Sequence, residues 1–236
     1  MNSVAVVTGA DRGLGFALTQ NLLEQGWRVF AGRYLDWPEL AGLVARFPDT
    51  LRVVDLDVSS DESVKAAASQ VAAATDSVDL LIANAAINRS AHVESVRESP
   101  DFEDMRAEFN VNALGPLRTV EAFLPLLDAG RGKRLCFVSS EAGSIGASTR
   151  TGWFGYCMSK AALNMAVKNL FNDLGPKGYT FRLYQPGWMR TYMQGTKNLE
   201  ADLEPEEGAG YALSYFLGED AGDLRLHCWD GSDMPW

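Results

Sequence analysis

The chain has 236 residues, 47% hydrophobic and 22% charged, which suits one large domain with a sizeable core and excludes wholesale disorder. Its formal net charge is −10, from 21 Lys and Arg against 31 Asp and Glu, and that argues against nucleic acid as the main partner, because phosphate neutralisation needs a basic surface. Most of the imbalance lies after Lys197, so the N-terminal body is nearly neutral and its arginines are expected to stand largely unopposed.

The N-terminal run MNSVAVVTGA lacks a basic region followed by a long apolar stretch, and no window approaches membrane-spanning length. A cytoplasmic protein with no membrane partner is the expectation. Cys136, Cys157 and Cys228 are widely spaced and lack CxxC spacing, and His92 and His227 add little, so neither a metal site nor structural disulfides are expected.

Along the chain, short apolar runs alternate with helix-period stretches. Val4–Val7, Val29–Ala31, Leu51–Asp55, Leu80–Ala83, Leu135–Val138 and Phe181–Tyr184 read as strands. They show little in–out alternation, as expected where both faces of a sheet are covered. Helices are read at about 14–25, 38–47, 61–73, 101–127, 155–174 and 205–217. This order predicts a doubly wound parallel α/β sheet with helices on both faces. No linker or repeat divides the chain, so residues 1–236 are read as a single domain. Ser59 with Glu62 fits a capping box, and Gly175-Pro176 is expected to end the helix before it. Pro116 falls inside the 101–127 stretch, where it should kink the helix and free the Asn112 carbonyl. The long stretches 86–100, 141–154 and 188–204 follow strands and should gather at the carboxyl edge of the sheet, where such sheets bind ligands.

The first strand runs directly into Thr8-Gly9-Ala10-Asp11-Arg12-Gly13-Leu14-Gly15 and then a helix. Glycines at 9, 13 and 15 permit a tight turn and close approach of a bound group, and the helix N-terminus offers free N–H groups to a pyrophosphate. The second strand leads to Arg33 with no carboxylate at Gly32, and Arg12 lies in the glycine loop. Two guanidiniums suit a 2′-phosphate, which favours NADP(H), while Asp36 nearby leaves NAD(H) possible. Downstream, Ser139 and Ser140 end a strand, and Tyr156 and Lys160 stand four residues apart on one helix face. A phenol is a poor acid–base catalyst at neutrality unless its anion is stabilised, and a nearby ammonium would lower its pKa.

Together these motifs resemble the short-chain dehydrogenase/reductase family over essentially the whole chain. Those that match are Thr8–Gly15, Asp57-Val58, Asn84-Ala85, Asn112, Ser140, Tyr156 with Lys160, and Pro186-Gly187 followed by Thr191. The long Ser140-to-Tyr156 interval, Gly143-Ser144-Ile145, Ser159 to Asn164 and the ending Asp230-Gly231…Pro235-Trp236 are similar to the C-factor/sniffer-like carbonyl reductase subgroup. The resemblance implies a seven-stranded Rossmann-type sheet, a nicotinamide cofactor and a catalytic tetrad of Asn112, Ser140, Tyr156 and Lys160. It further implies that Tyr156 is the general acid in reduction, that Ser140 polarises the substrate oxygen, and that Lys160 holds the nicotinamide ribose. Asn112 would position a water through its carbonyl. Cofactor contacts would come from Gly9, Asp11, Arg12, Gly13, Leu14, Gly15, Arg33, Asp57, Val58, Asn84, Ala85, Pro186, Gly187 and Thr191. The family's Asn-Asn-Ala-Gly segment reads Ala83-Asn84-Ala85-Ala86 here, and Tyr192 stands where many members carry Asp.

The carboxyl-edge stretches also carry Trp153, Phe154, Trp188, Met189, Tyr192 and Met193. An aromatic-lined pocket suits a small aldehyde or ketone, or its alcohol, with Trp153, Trp188 and Tyr192 joining Ser140 as substrate-facing candidates. Arg150, Arg190 and His92 are read as exposed surface residues. A dinucleotide-binding regulatory or signalling protein of the same fold is the alternative; the complete tetrad favours an enzyme. The family commonly forms homodimers or homotetramers through the helices at 101–127 and 155–174.

Overall fold

The computed structural model describes residues 3–219 and 222–236. Its strands are β1 (Val4–Val7), β2 (Arg28–Arg33), β3 (Leu51–Asp55), β4 (Leu80–Ala83), β5 (Arg134–Val138), β6 (Thr180–Gln185), β7 (Leu226–Cys228) and β8 (Asp233–Met234). They form one sheet in the order β3-β2-β1-β4-β5-β6-β7-β8, parallel except for the two-residue β8. The expected seven parallel strands are therefore present, with one short antiparallel strand added. β7 is absent from the apolar runs read above because three residues, one of them His227, give no usable period.

The helices are α1 (Gly13–Glu24), α2 (Pro38–Arg46), α3 (Asp61–Ala72), α4 (Phe102–Phe109), α5 (Gly115–Ala129), α6 (Phe154–Leu174) and α7 (Pro205–Leu217). Successive strand residues point to opposite faces, so the sheet separates two cores. Val4, Val6, Leu81, Phe137 and Leu183 pack with Val64 of α3, Phe123 of α5 and Val167 of α6. Ala5, Val7, Leu80, Ile82 and Val138 pack on the other face with Leu18 of α1, Leu43 of α2 and Phe216 of α7. Each large aliphatic side chain withdrawn in this way contributes about 1.5–3 kcal/mol of transfer free energy. Burial on both faces is why the strands lack alternation.

Two local expectations are corrected, and a third holds by a different geometry. The cap of α3 is Ser60, whose Oγ accepts from Ser63 N at 3.2 Å, because the Asp57 carboxylate holds the N–H and hydroxyl of Ser59. Helix α6 does end at Leu174, just before Gly175-Pro176, but the chain continues through a 3-10 turn, Gly175–Lys177, with Gly175 at φ −55° and not in the left-handed region. Pro176 is tolerated there because the first turn of a helix needs no N–H from it. The left-handed reversal waits for Gly178, at φ +89°. The single kinked helix expected over 101–127 is instead α4, a π-helical turn over Asn110–Leu114, and α5. Gly115 N donates to Asn110 O, five residues back, and Pro116 sits near the start of α5. Such π turns recur at functional sites because they re-aim side chains without breaking the helix.

From the adjacent pair β1 and β4 the chain winds outward in both directions, which opens a crevice at their carboxyl ends. Thr8 and Asn84 stitch that point together. Thr8 Oγ1 accepts from the amides of Asn84 and Ala85, both at 3.0 Å, and Asn84 Nδ2 donates to Thr8 O and Gly9 O.

Candidate active site

The turn after β1 is shaped by its glycines. Gly9 and Gly13 have φ +62° and +56°, in the left-handed region that L side chains rarely adopt. Gly15 has an ordinary φ, but a Cβ there would collide with Gly9 O and the Asn84 amide. The N-cap residue of α1, Arg12, makes no side-chain cap, and the first turn carries no acid. The leading amides of α1 are thus left for an anionic group, which fits the pyrophosphate of a dinucleotide. Leu14 is buried among the α1 and α7 side chains, and Thr191 Cγ2 lies 3.3 Å from where a Gly13 Cβ would stand. The 188–204 loop therefore reaches across the crevice to the glycine turn.

The two arginines are not equally available. Arg12 lies over the Trp37 ring at 5.2 Å, and Trp37 is 5.2 Å from Tyr192. Arg33, expected to stand unopposed, is instead held by Asp55 Oδ1 at 2.6 and 2.9 Å and approached by Asp36 at 3.4 Å. The cause is register: Arg33 of β2 pairs directly with Asp55 of β3. The hydrogen bond to Asp55 raises the guanidinium pKa further. Asp11 is buried and accepts from Tyr34 N at 3.3 Å. Asp57 accepts from Ser59, while Val58 O accepts from Arg118 at 2.6 Å. On the opposite side, Pro186 follows β6, and Gly187 adopts φ +81° with Trp229 and Leu203 filling the space of a Cβ.

Ser140, Tyr156 and Lys160 meet beyond the end of β5. Ser140 Oγ accepts from Ala142 N at 3.2 Å and also hydrogen-bonds the Tyr156 phenol. Tyr156 is in the first turn of α6 and Lys160 one turn on, both buried. The ammonium lies 5.7 Å from the phenol ring and donates to Val138 O at 3.0 Å. Burial dominates both ionisations. It pushes the phenol up to about 12, with the Ser140 hydrogen bond opposing in part, and lowers Lys160 to about 7. The expected lowering of the phenol by its lysine is therefore not seen, because desolvation is the largest influence on each group and disfavours both charged forms.

Asn112 acts through its side chain. Its Oδ1 accepts from Ile87 N at 2.9 Å, and its Nδ2 donates to Ile87 O at 2.8 Å and Ser159 Oγ at 3.0 Å. Ser159 Oγ donates in turn to Tyr156 O. The expectation for Asn112 concerned its carbonyl; what the structure shows is a side-chain amide that ties the loop after β4 to α6.

Among the aromatic candidates, Trp153 meets Tyr156 edge-on at 6.3 Å and has φ +57°. Arg150, read as a surface residue, covers the Trp153 face at 4.3 Å and pairs with Glu141. Arg190 likewise is engaged, donating to Ala201 O and Glu204 and closing the 188–204 loop on itself. Trp188 is 55% exposed, so much of its ring is open to solvent. Among the described residues no group of three or more His, Cys, Asp or Glu could hold a metal ion.

Residues 3–202 match the family model described as short chain dehydrogenase. The chain belongs to that family. It is similar to C-signal of Myxococcus xanthus, 37% identical over 162 residues, which cover 69% of this chain and 95% of that one. In structure it is similar to the NADPH-bound carbonyl reductase from chicken fatty liver, with a TM-score of 0.87, 29% identity and 100% of each chain covered. It is also similar to carbonyl reductase Sniffer of D. melanogaster, with a TM-score of 0.86, 25% identity and 100% of each chain covered. These likenesses agree with the subgroup that the motifs suggested. As a short chain dehydrogenase the protein is an oxidoreductase, and no helix among its described residues is long and apolar enough to cross a membrane.

Within this short chain dehydrogenase, several residues read only as motif members build the site, and Glu108 with Ser90 was missed altogether. Ser139 donates to Asn164 at 2.6 Å, and Asn164 donates to Gly143 O, which fixes the turn after Ser140. Ser144 Oγ and Gly146 N hold Pro235 O and Trp236 O, so the chain end braces the same turn. Glu108 is fully buried beside Ser90. One signal was available for it: Glu108 precedes Asn112 by four residues and so shares its helix face.

Proposed function

We propose that this oxidoreductase is an NADP(H)-dependent carbonyl reductase that interconverts a small aldehyde or ketone, with an apolar or aromatic portion, and its alcohol. The observation that carries the reading is the convergence of Ser140, Tyr156 and Lys160 beside a glycine turn whose helix amides are uncapped. The chemistry a bound nicotinamide dinucleotide supplies is hydride exchange with the carbonyl carbon. The chain's own residues do the rest. Ser140 holds and polarises the substrate oxygen. Tyr156 gives its phenolic proton to that oxygen in reduction and takes it back in oxidation. A phenol near 12 keeps its proton at neutrality, and an amine near 7 exchanges one readily, so Lys160 suits proton supply as well as holding the ribose. Asn112 keeps the loop after β4 and the first turn of α6 in register.

In this reading residues 1–236 act as one domain. Gly9, Gly13, Leu14 and Gly15 carry the pyrophosphate, Asp11, Asp57 and Val58 the adenosine side, Asn84 and Ala85 the middle, and Pro186, Gly187 and Thr191 the nicotinamide side. Arg12 and Arg33 take the 2′-phosphate, which must compete with Asp55 and Asp36 for Arg33. The NADPH bound to the chicken reductase supports that preference. Trp153, Trp188 and Tyr192 face the substrate. The free cysteines at 136, 157 and 228 suit the reducing cytoplasm. Exposed Phe102, Phe109 and Leu117 on α4 and α5, with Met158 and Met165 on α6, support a homodimer or homotetramer formed through these helices.

The likeness to C-signal favours a second reading, a dinucleotide-binding signalling protein. Tyr156→Phe separates the two. NADPH binding should persist while turnover of a carbonyl panel, followed by NADPH absorbance, falls by about 10²–10⁴. Unchanged turnover in that variant overturns the role of Tyr156. A parent protein that binds NADPH and reduces no carbonyl moves the conclusion to the second reading.

A further inference from the structure

Glu108, on α4, is a carboxylate with no solvent exposure. A buried polar group is tolerated only when it is hydrogen-bonded, and the oxygens of Glu108 are engaged by one short piece of the loop after β4. Oε1 accepts from Arg89 N at 2.6 Å and Ser90 N at 2.8 Å. The Ser90 hydroxyl donates into the carboxylate, 3.0 and 2.9 Å from its two oxygens. Having given its one hydrogen to Glu108, Ser90 Oγ turns a lone pair outward, and it accepts from Tyr156 N at 3.4 Å. From the other side, the residue before Tyr156 is Gly155, where a Cβ would collide with Glu108 Oε2 and stand 2.8 Å from Met105 Cγ. Helix α6 can approach α4 this closely only without that side chain.

We propose that Glu108 is a positioning residue for Tyr156. Through Ser90 and the space left by Gly155 it sets where the first turn of α6 lies, and so where the phenol stands relative to Ser140. The loop is then held twice, Ile87 by Asn112 and Arg89-Ser90 by Glu108, with both holding side chains on one helix face. The carboxylate touches neither substrate nor cofactor in this role. The inference rests on Tyr156 being the proton donor.

Glu108→Ala and Ser90→Ala test it in the whole protein, with kcat normalised to NADPH-binding sites titrated in each preparation. Displacing a catalytic group by about 1 Å costs on the order of 10²-fold, so each variant should lose at least about tenfold in kcat with KM and NADPH affinity moving less than about threefold. Glu108→Gln, which keeps the shape and one acceptor oxygen, should restore most of the loss. Hydrogen exchange on the peptide 153–160 supplies a readout independent of any substrate. Protection should fall in the first turn of α6 in both alanine variants and persist in its later turns. Normal kcat per site and parental exchange in either alanine variant overturns the proposal. So does a kcat loss matched by KM and cofactor affinity. If Glu108→Ala does not fold, Ser90→Ala decides alone, because it leaves both amide-to-carboxylate bonds intact. If the parent reduces no carbonyl, the enzymatic reading fails while the exchange experiment still judges the positioning.

Discussion

Replacing Lys160 by methionine keeps the length of the side chain and removes its ammonium from a site only 2% exposed. Burial lowers that ammonium from 10.5 to about 7, so three pH regions follow. Below about pH 7 both the folded and unfolded chains hold the proton, and the fold bears the full cost of desolvating it. Between about 7 and 10.5 only the unfolded chain holds it, so the stability of the parent rises with pH. Above 10.5 the cost is gone. At about 1.4 kcal/mol per pH unit, the whole rise is roughly 5 kcal/mol relative to a side chain that does not titrate. Methionine also gives up the bond to Val138 O, worth about 1–3 kcal/mol at every pH. The cofactor-free variant should therefore be more stable than the parent by about 2–4 kcal/mol at pH 6, the difference should vanish between about pH 8 and 10, and the parent should be the more stable above that. Urea denaturation of both proteins at pH 6, 8 and 9.5, followed by circular dichroism, measures the difference. A gap that does not change with pH, or a parent that is the more stable at pH 6, refutes the claim that burial governs this lysine.

Asp55 is 77% exposed on its side chain, so its pairing with Arg33 is worth only about 0.2–1 kcal/mol. Asp55→Asn should tighten NADPH binding by at most about fivefold, with the gain shrinking in high salt and NADH affinity unchanged; equal effects on both dinucleotides would mean that Arg33 does not meet the 2′-phosphate. Gly15→Ala places a methyl group against Gly9 O and the Asn84 amide, and should cost about 1–3 kcal/mol in urea denaturation while weakening NADPH binding; a parental midpoint would show that the turn is looser than its contacts imply.

Much of this protein was written in short stretches of sequence. The apolar runs at Val4–Val7 and Leu80–Ala83, the glycines of the first turn and the Tyr156–Lys160 spacing report chain sterics and two-sided burial, which operate over a few residues. They were enough for the doubly wound sheet, the family and the residues that meet at its carboxyl edge. Local pattern could not choose between Ser59 and Ser60 as a cap, because the choice rests on which hydroxyl the Asp57 carboxylate takes. It could not foresee the π turn, since a proline at 116 is compatible with a kink or with a new helix start. Tertiary structure alone decided the rest. Strand register set Arg33 against Asp55, so the net charge of the N-terminal body proved a poor guide to which arginine stands free. Helix packing brought Glu108 to Ser90 and Gly155, and desolvation reversed the expected relation between Lys160 and Tyr156. The reason is common to all of these: a residue's type and spacing are properties of the chain, whereas its partner and its access to water exist only once distant segments have closed around it.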